Sequence, residues 1–191
     1  MEKVKKGSKT AHNLLASFAG ESQARNRYTM YASVAREEGF KQIEALFLET
    51  AEHERVHAKR FFRFLPGGMA EIKACYPTDI GTTADNLRSA AEGEHEEHVM
   101  LYPTAADVAQ KEGYQEVAKQ FREVAKVEAE HEKRYLKLLH NVEKGLVFKR
   151  KGKVFWKCRE CGRIVEATKA PLRCPACDHP QSYFELFVEA Y

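Results

Sequence analysis

The sequence holds no apolar run approaching the roughly 20 residues that span a bilayer, so a membrane-embedded protein is not expected. It also lacks a strong excess of either charge: 31 basic and 28 acidic residues leave a formal net charge of +3. These charges are interleaved, no phosphate-binding face stands out, and nucleic acid is not an expected partner. The start, Met1-Glu2-Lys3-Val4-Lys5-Lys6, leads into no apolar stretch of signal-peptide length, which favours a cytoplasmic protein. Cysteine is scarce, and four of the five fall in two pairs, Cys158/Cys161 and Cys174/Cys177. In a reducing compartment such C-x-x-C pairs are metal clamps more often than disulfides. Cys75 stands alone and reads as a small, half-buried apolar residue without a role.

Proline is scarce too, and residues 10 to 65 contain none. That stretch is rich in Ala, Leu, Glu, Arg and Phe and predicts two helices with a turn at Gly39. Residues 66 to 83 gather Pro, Gly, Asp and Thr over too great a length for a tight hairpin, and predict a crossover. Helical composition resumes near Asp85 and runs to about Lys144 around Gly113, predicting two more helices. After Gly145 the residues Val147, Phe148, Val154, Phe155 and Trp156 among Lys, Arg and Gly suggest short strands. The expected division is a helical unit at 1–148 and a small unit at 149–191. The small unit cannot bury enough apolar surface to fold without a staple.

The helical halves resemble each other. Glu38-Gly39-Phe40 aligns with Glu112-Gly113-Tyr114, and His57-Ala58-Lys59-Arg60-Phe61 with His131-Glu132-Lys133-Arg134-Tyr135, both at an offset of 74. Ala19-Gly20-Glu21 aligns with Glu92-Gly93-Glu94 at an offset of 73, so the second half holds one extra residue between Glu94 and Gly113. A duplicated helical hairpin joined by a long crossover makes an antiparallel four-helix bundle. An extra residue inside a helix is commonly absorbed as a π-bulge, expected here between about Glu97 and Ala106, near Pro103.

The second helix carries the stripe Phe47, Thr50, Glu54, His57, Phe61, Phe64, and the fourth carries Phe121, Val124, Glu128, His131, Tyr135, Leu138. Steps of three and four place each set on one core-facing face. Each stripe has a Glu-x-x-His pair at its centre, where an unpaired carboxylate is prohibitively costly. The first helix adds Glu21, and the third adds Glu94 and Glu97. One Glu-x-x-His pair is commonplace on a solvated helix, but two at matching repeat positions are specific. Self-repelling carboxylates need polyvalent cations, and a Glu from each of two helices with Glu-x-x-His from the other two is a two-metal arrangement suited to iron or manganese. The remaining histidines, His12, His53, His95, His98, His140 and His179, read as solvated or hydrogen-bonded, although spacing leaves His98 open as a further ligand.

Cys158-Arg-Glu-Cys161-Gly162 and Cys174-Pro175-Ala-Cys177 form two knuckles that can set four thiolates around one ion. Spacing does not separate zinc from iron. Coexistence with a redox centre favours iron, because a one-electron carrier has a use there that zinc lacks.

In these motifs the chain resembles the rubrerythrins over essentially its whole length. The matching stretches are Phe18-Ala-Gly-Glu21-Ser-Gln-Ala-Arg-Asn-Arg-Tyr28, Glu54-Arg-Val-His57-Ala-Lys-Arg, Gly93-Glu94-His-Glu-Glu97, Met100-Leu-Tyr102-Pro103, Glu128-Ala-Glu-His131-Glu-Lys-Arg and the two knuckles. The resemblance implies a ferritin-like bundle with a rubredoxin-like β/loop domain. It makes Glu21, Glu54, His57, Glu94, Glu97, Glu128 and His131 ligands of a di-iron centre, and the four paired cysteines ligands of a rubredoxin-type iron. The cysteine spacing is shorter than in free-standing rubredoxins, and His98 stands where tyrosine is expected. The implied activity is reduction of hydrogen peroxide to water, with electrons drawn from NAD(P)H by an external reductase and relayed through the cysteine iron. Glu97 aligns with Ala24, so the site is asymmetric by one carboxylate, and His57 and Glu97 are implied to exchange as ligands. Tyr28 and Tyr102 are implied to orient ligands and supply protons, and a head-to-tail homodimer is implied to bring the two iron sites together. The rival reading is a ferroxidase or iron-handling protein with a structural C-terminal metal. A helical scaffold with a zinc-ribbon adaptor would leave the buried ligands without a purpose.

Overall fold

The computed structural model describes residues 3–189, so Met1 and Glu2 of the charged start and the last two residues of the small unit lie outside the described residues. Helices α1 (Lys9–Glu37) and α2 (Lys41–Phe64) form the first hairpin. After the crossover at 65–82, α3 (Thr83–Glu96), a π-helical turn (Glu97–Leu101) and α4 (Tyr102–Lys111) run on as one rod, which pairs with α5 (Gln115–Glu143). The result is the expected antiparallel four-helix bundle. No helix is long and apolar enough to cross a membrane.

The duplication is visible in how the hairpins close. Gly39 and Gly113 both adopt positive φ, at 83° and 90°. The next residue's N–H then reaches back to satisfy a carbonyl of the last helical turn, Phe40 to Ala35 at 2.7 Å and Tyr114 to Ala109 at 2.9 Å. The preceding glutamates cap the opposite hairpin: Glu38 accepts the Thr83 N–H at 3.1 Å, and Glu112 accepts the Thr10 N–H at 2.9 Å. Each carboxylate thus sits where a helix N-terminus presents unpaired N–H groups and positive partial charge.

The extra residue of the second half is absorbed as expected. The Tyr102 N–H bonds Glu97 O, five residues back. Pro103, which has no N–H to give, starts the next helical stretch.

Two apolar clusters fill the bundle. One contains Tyr28, Tyr31, Phe47, Leu87 and Tyr135, the other Leu14, Phe61, Phe64, Tyr102 and Phe121. Glu21, Glu54, His57, Glu94, Glu128 and His131 occupy the layer between them, all buried. Cys75 is exposed, contrary to the half-buried reading. The crossover that carries it runs over the surface.

The C-terminal unit is a three-stranded antiparallel sheet in the order β2-β1-β3, with β1 Lys149–Cys158, β2 Ile164–Lys169 and β3 Phe184–Leu186. Its core is small: Trp156, Cys158, Ala170, Cys174 and Phe184. Val147 and Phe148, read from sequence as strand residues, precede the sheet. Phe148 instead stacks on Phe40 at 6.2 Å and fixes the unit against the α1–α2 turn, where Lys41 Nζ also lies 5.4 Å over the Tyr183 ring.

The two turn glycines separate strain from sterics. A methyl group on Gly113 would meet nothing within 4 Å, whereas one on Gly39 would touch Ser182 Cβ at 3.6 Å. Gly113→Ala should therefore cost only the left-handed backbone penalty of about 1–2 kcal/mol. Gly39→Ala should cost about the same and leave the small unit in place, since its methyl group would sit in ordinary van der Waals contact with Ser182. Urea denaturation followed at the helices, with Trp156 fluorescence reporting on the small unit, checks both expectations.

Candidate metal centre

The buried polar layer resolves into two overlapping ligand sets. Glu21, Glu54, His57 and Glu128 each offer an atom within 4.8 Å of the others, and so do Glu54, Glu94, Glu128 and His131. Glu54 and Glu128 belong to both sets. His57 Nδ1 lies 2.9 Å from Glu54 Oε2 and 3.0 Å from Glu128 Oε1, while His131 Nδ1 lies 3.3 Å from Glu54 Oε1 and 2.8 Å from Glu128 Oε2. Each shared carboxylate therefore turns one oxygen toward each histidine, the posture of a bridge between two ions. Glu21 and Glu94 stand at the two ends, with Glu21 Oε1 3.9 Å from His57 and Glu94 Oε2 3.7 Å from His131.

Two tyrosines tie the halves together. Tyr102 Oη donates to Glu21 Oε1 at 2.5 Å, and Tyr28 Oη donates to Glu94 Oε1 at 2.6 Å. They are themselves 74 residues apart, and each reaches across to the end carboxylate of the other repeat. Burial, followed by the neighbouring glutamates, holds both hydroxyls well above the usual tyrosine range, so each keeps its proton.

Whether this layer suits cations is decided by what its atoms lack. Among the described residues, Glu21 Oε2, Glu54 Oε1, Glu94 Oε2, both oxygens of Glu128 and His131 Nδ1 are buried without a well-directed hydrogen bond, the histidines and shared glutamates meeting only as close ion-pair contacts. Buried polar atoms are almost always satisfied, and six unsatisfied donor atoms converging on one layer match the ligand set of two divalent ions. The protonation pattern agrees. Burial pushes Glu94 up to about 8 and raises Glu21 and Glu97 well above the carboxylate range. For the histidines burial pulls the other way but the carboxylates prevail, raising His57 to about 9 and His131 to about 12; Glu54, although buried, is drawn down to about 2 by both histidines. Protons thus occupy places suited to metal.

Glu97 lies outside both four-residue sets. It sits half-buried in the π turn, beside a cleft of about 490 Å³ whose lining includes Gly20, Arg27, Tyr76 and Tyr102. His98 is not part of the layer either; its Nε2 lies 2.6 Å from Glu132 Oε2 on α5. One residue along a helix turns the side chain by about 100°, which carries His98 off the face that Glu97 approaches.

Two neighbours of the layer were not singled out from sequence. His53 Nδ1 is 3.0 Å from His131 Nε2, with the rings parallel at 5.2 Å. With His131 Nδ1 turned to the ligands, its Nε2–H donates to His53, a bond that fixes ring and tautomer. The repeat comparison held a signal for it, since the matching position of the second repeat, 74 residues on, holds Val127 and not a histidine. Arg27 is buried with its guanidinium 5.7 Å from the Tyr28 ring centroid, and its charge opposes the burial that raises Glu97.

The four paired cysteines also converge. Cys158 Sγ lies 3.7 Å from Cys177 Sγ and Cys161 Sγ 3.6 Å from Cys174 Sγ. A tetrahedron with metal–sulfur bonds of 2.3 Å has edges of about 3.8 Å, so the thiols already stand at ligand spacing. Both knuckles close alike, with Gly162 N–H on Cys158 O and Asp178 N–H on Cys174 O, each at 2.9 Å and each with positive φ. Burial pushes the Cys174 thiol up, but the N–H groups of Ala176 and Cys177 outweigh it and bring it down to about 6.

Comparison with known proteins gives concordant matches. Residues 12–139 match the rubrerythrin family model and residues 156–185 the model of the rubrerythrin rubredoxin-like domain. The rubrerythrin of Porphyromonas gingivalis is 59% identical over 100% of this chain and 96% of its own length. That of Clostridium perfringens is 56% identical over 97% and 98%. The structure of nigerythrin in its fully reduced, all-ferrous state is 30% identical, covers 97% of this chain and 90% of its own, and superposes with a TM-score of 0.64.

Metal uptake should release protons and remove a pH dependence. In metal-free protein Glu94, His57 and His131 hold protons that the unfolded chain gives up near 4.5 and 6.5. Where the folded state binds more protons than the unfolded, stability falls as pH rises. Metal-free protein should therefore weaken from about pH 5 upward, through about 8 and 9 where Glu94 and His57 lie and on toward 12 for His131, and metal-loaded protein should not. Urea midpoints across that range test the slope. Loading ferrous ions near pH 7 in weak buffer should release on the order of two to four protons per chain, and uptake without release would contradict the assignment.

Proposed function

Since this chain belongs to the rubrerythrin family, we propose that it is a peroxidase that reduces hydrogen peroxide to water at its di-iron site. The observation that carries this reading is the presence, in one chain, of a buried Glu/His layer suited to two ions and a tetrahedral four-cysteine site. An oxidase for iron storage has no need of the second. In the proposed division, residues 1–148 perform the chemistry and residues 149–191 deliver electrons.

Glu21 and His57 would hold one iron and Glu94 and His131 the other, with Glu54 and Glu128 common to both sets. When bound, the iron pair supplies the two electrons that the O–O bond accepts on breaking. Two protons must arrive for two waters to leave, and the chain provides groups to hold them. Tyr102 and Tyr28 keep theirs at Oη and hold Glu21 and Glu94 in place. Glu97 carries a readily held proton beside the cleft, through which a molecule as small as peroxide reaches the layer. The histidines are unequal. His131 is braced by His53, while among the described residues nothing hydrogen-bonds His57 Nε2. His57 would therefore be the less constrained of the two histidine ligands, and Glu97, at the edge of the layer, the carboxylate placed to take its position when the centre is oxidised.

Cys158, Cys161, Cys174 and Cys177 hold the rubredoxin-type iron that returns electrons, fed by an external NAD(P)H-dependent reductase. The small unit rests beside Lys41, 13 residues before Glu54 on α2, or about 20 Å of helix. That gap within one chain supports a head-to-tail homodimer in which each small unit serves its partner's centre. The thiolate site is consistent with a reducing, cytoplasmic setting.

Anaerobic reduction followed by rapid mixing with peroxide tests the proposal. The visible bands of the di-iron centre should recover first, those of the cysteine iron next, and both faster than with oxygen. Preference for oxygen, with no transfer from the cysteine iron, would favour the ferroxidase reading. Glu97→Ala should slow reoxidation by peroxide by about tenfold or more while leaving iron content unchanged.

A further inference from the structure

A second cluster of metal-binding side chains lies outside the buried layer. His95 Nδ1 is 3.0 Å from Glu132 Oε1, and His98 Nε2 is 2.6 Å from Glu132 Oε2. The three donor atoms lie within 4.8 Å of one another. His95 comes from the end of α3, His98 from the π turn and Glu132 from α5, so the set is tertiary and not an accident of one helix. The two imidazole rings stand edge to face at 5.4 Å. Side-chain exposures of 58%, 21% and 20% leave that point open to solvent. Among the described residues no lysine or arginine pairs with Glu132, so its charge is met by the two imidazoles alone.

We propose that His95, His98 and Glu132 form a third metal site, on the bundle surface, for a divalent transition cation such as zinc. Two imidazoles and a carboxylate make a borderline ligand set of the kind that selects such ions over magnesium or calcium, and solvent fills the open positions. The site's place in the chain gives it a consequence. His95 follows Glu94, His98 follows Glu97 and Glu132 follows His131, so a cation here clamps the π turn to α5 directly behind two residues of the buried layer and Glu97 at its edge. The inference does not depend on peroxide being the substrate.

The test uses iron-loaded protein dialysed against zinc, with zinc and iron counted together by mass spectrometry. The unchanged chain should take up one more zinc than the His95→Ala/His98→Ala variant, with iron content constant, and its melting temperature should rise with zinc only when the site is intact. His95→Ala and Glu132→Gln singly should weaken zinc binding by at least about tenfold. Equal zinc uptake by the double variant would overturn the proposal. So would zinc uptake matched by iron loss, which would place zinc in the iron sites.

Discussion

The structure depends on the cost of enclosing acidic side chains. Four glutamates and two histidines lie in a dry layer between two aromatic clusters, and the surrounding residues satisfy them incompletely: among the described residues Glu21 Oε2 has no hydrogen-bond partner. Charge buried in this way is tolerated only when opposite charge accompanies it. With divalent ions present the layer becomes the strongest tie among four helices, since each helix contributes at least one ligand. Without them the same positions take up protons, which explains why the glutamates spread from about 2 at Glu54 to about 8 at Glu94. The two carboxylates differ because Glu54 faces both imidazoles, whereas Glu94 meets one imidazole and two further carboxylates.

Duplication set up this layer, and small departures from it make the two ends unequal. Glycine turns, capping glutamates, tyrosines and ligands all recur at the same spacing, so a near-twofold arrangement was available from the start. One added residue after Glu94 converts a helical turn into the π turn and sets Glu97 at the layer's edge, where Ala24 stands in the first repeat. Another departure puts His53 behind His131 and Val127 in the matching place. A symmetrical site would give its two ions equal surroundings. Here one histidine is braced and the other is not, and the spare carboxylate comes from the segment with the irregular backbone.

The bundle was legible because its signals are local and repeated. Apolar residues at steps of three and four fixed the inward faces, and carboxylates at the centre of those faces had no other explanation. The added residue could be counted by aligning the halves, and its placement as a π turn followed. What escaped notice depended on contacts between elements. Whether His53 faces water or a partner histidine depends on how α2 and α5 are rotated about their axes, which no spacing within α2 reveals. Arg27 was equally hidden, since a charged residue near the middle of a helix is usually solvated, and only the packing of its stem on Tyr28 and Tyr31 makes it an interior cation. His98 remained open from spacing because the π turn changes the angle between successive side chains at that point.

The two domains reach metal binding from opposite directions. In the bundle, large aromatic clusters hold the helices together, and the ligands are carried into the interior by a fold able to bear their cost. The small unit has five buried core residues, two of them cysteines, so much of its interior consists of prospective ligands. Removing a cation from the bundle exposes the repulsion it was masking, but the aromatic clusters on either side persist. Removing one from the small unit takes away the cross-link between two knuckles that otherwise rest on a small core around Trp156 and Phe184 and a short sheet. The bundle shapes its metal site, and the metal in the small unit shapes its fold. That difference leaves a rigid ligand layer on one side and, on the other, a compact unit whose ligand geometry is set by sulfur and held by backbone N–H groups.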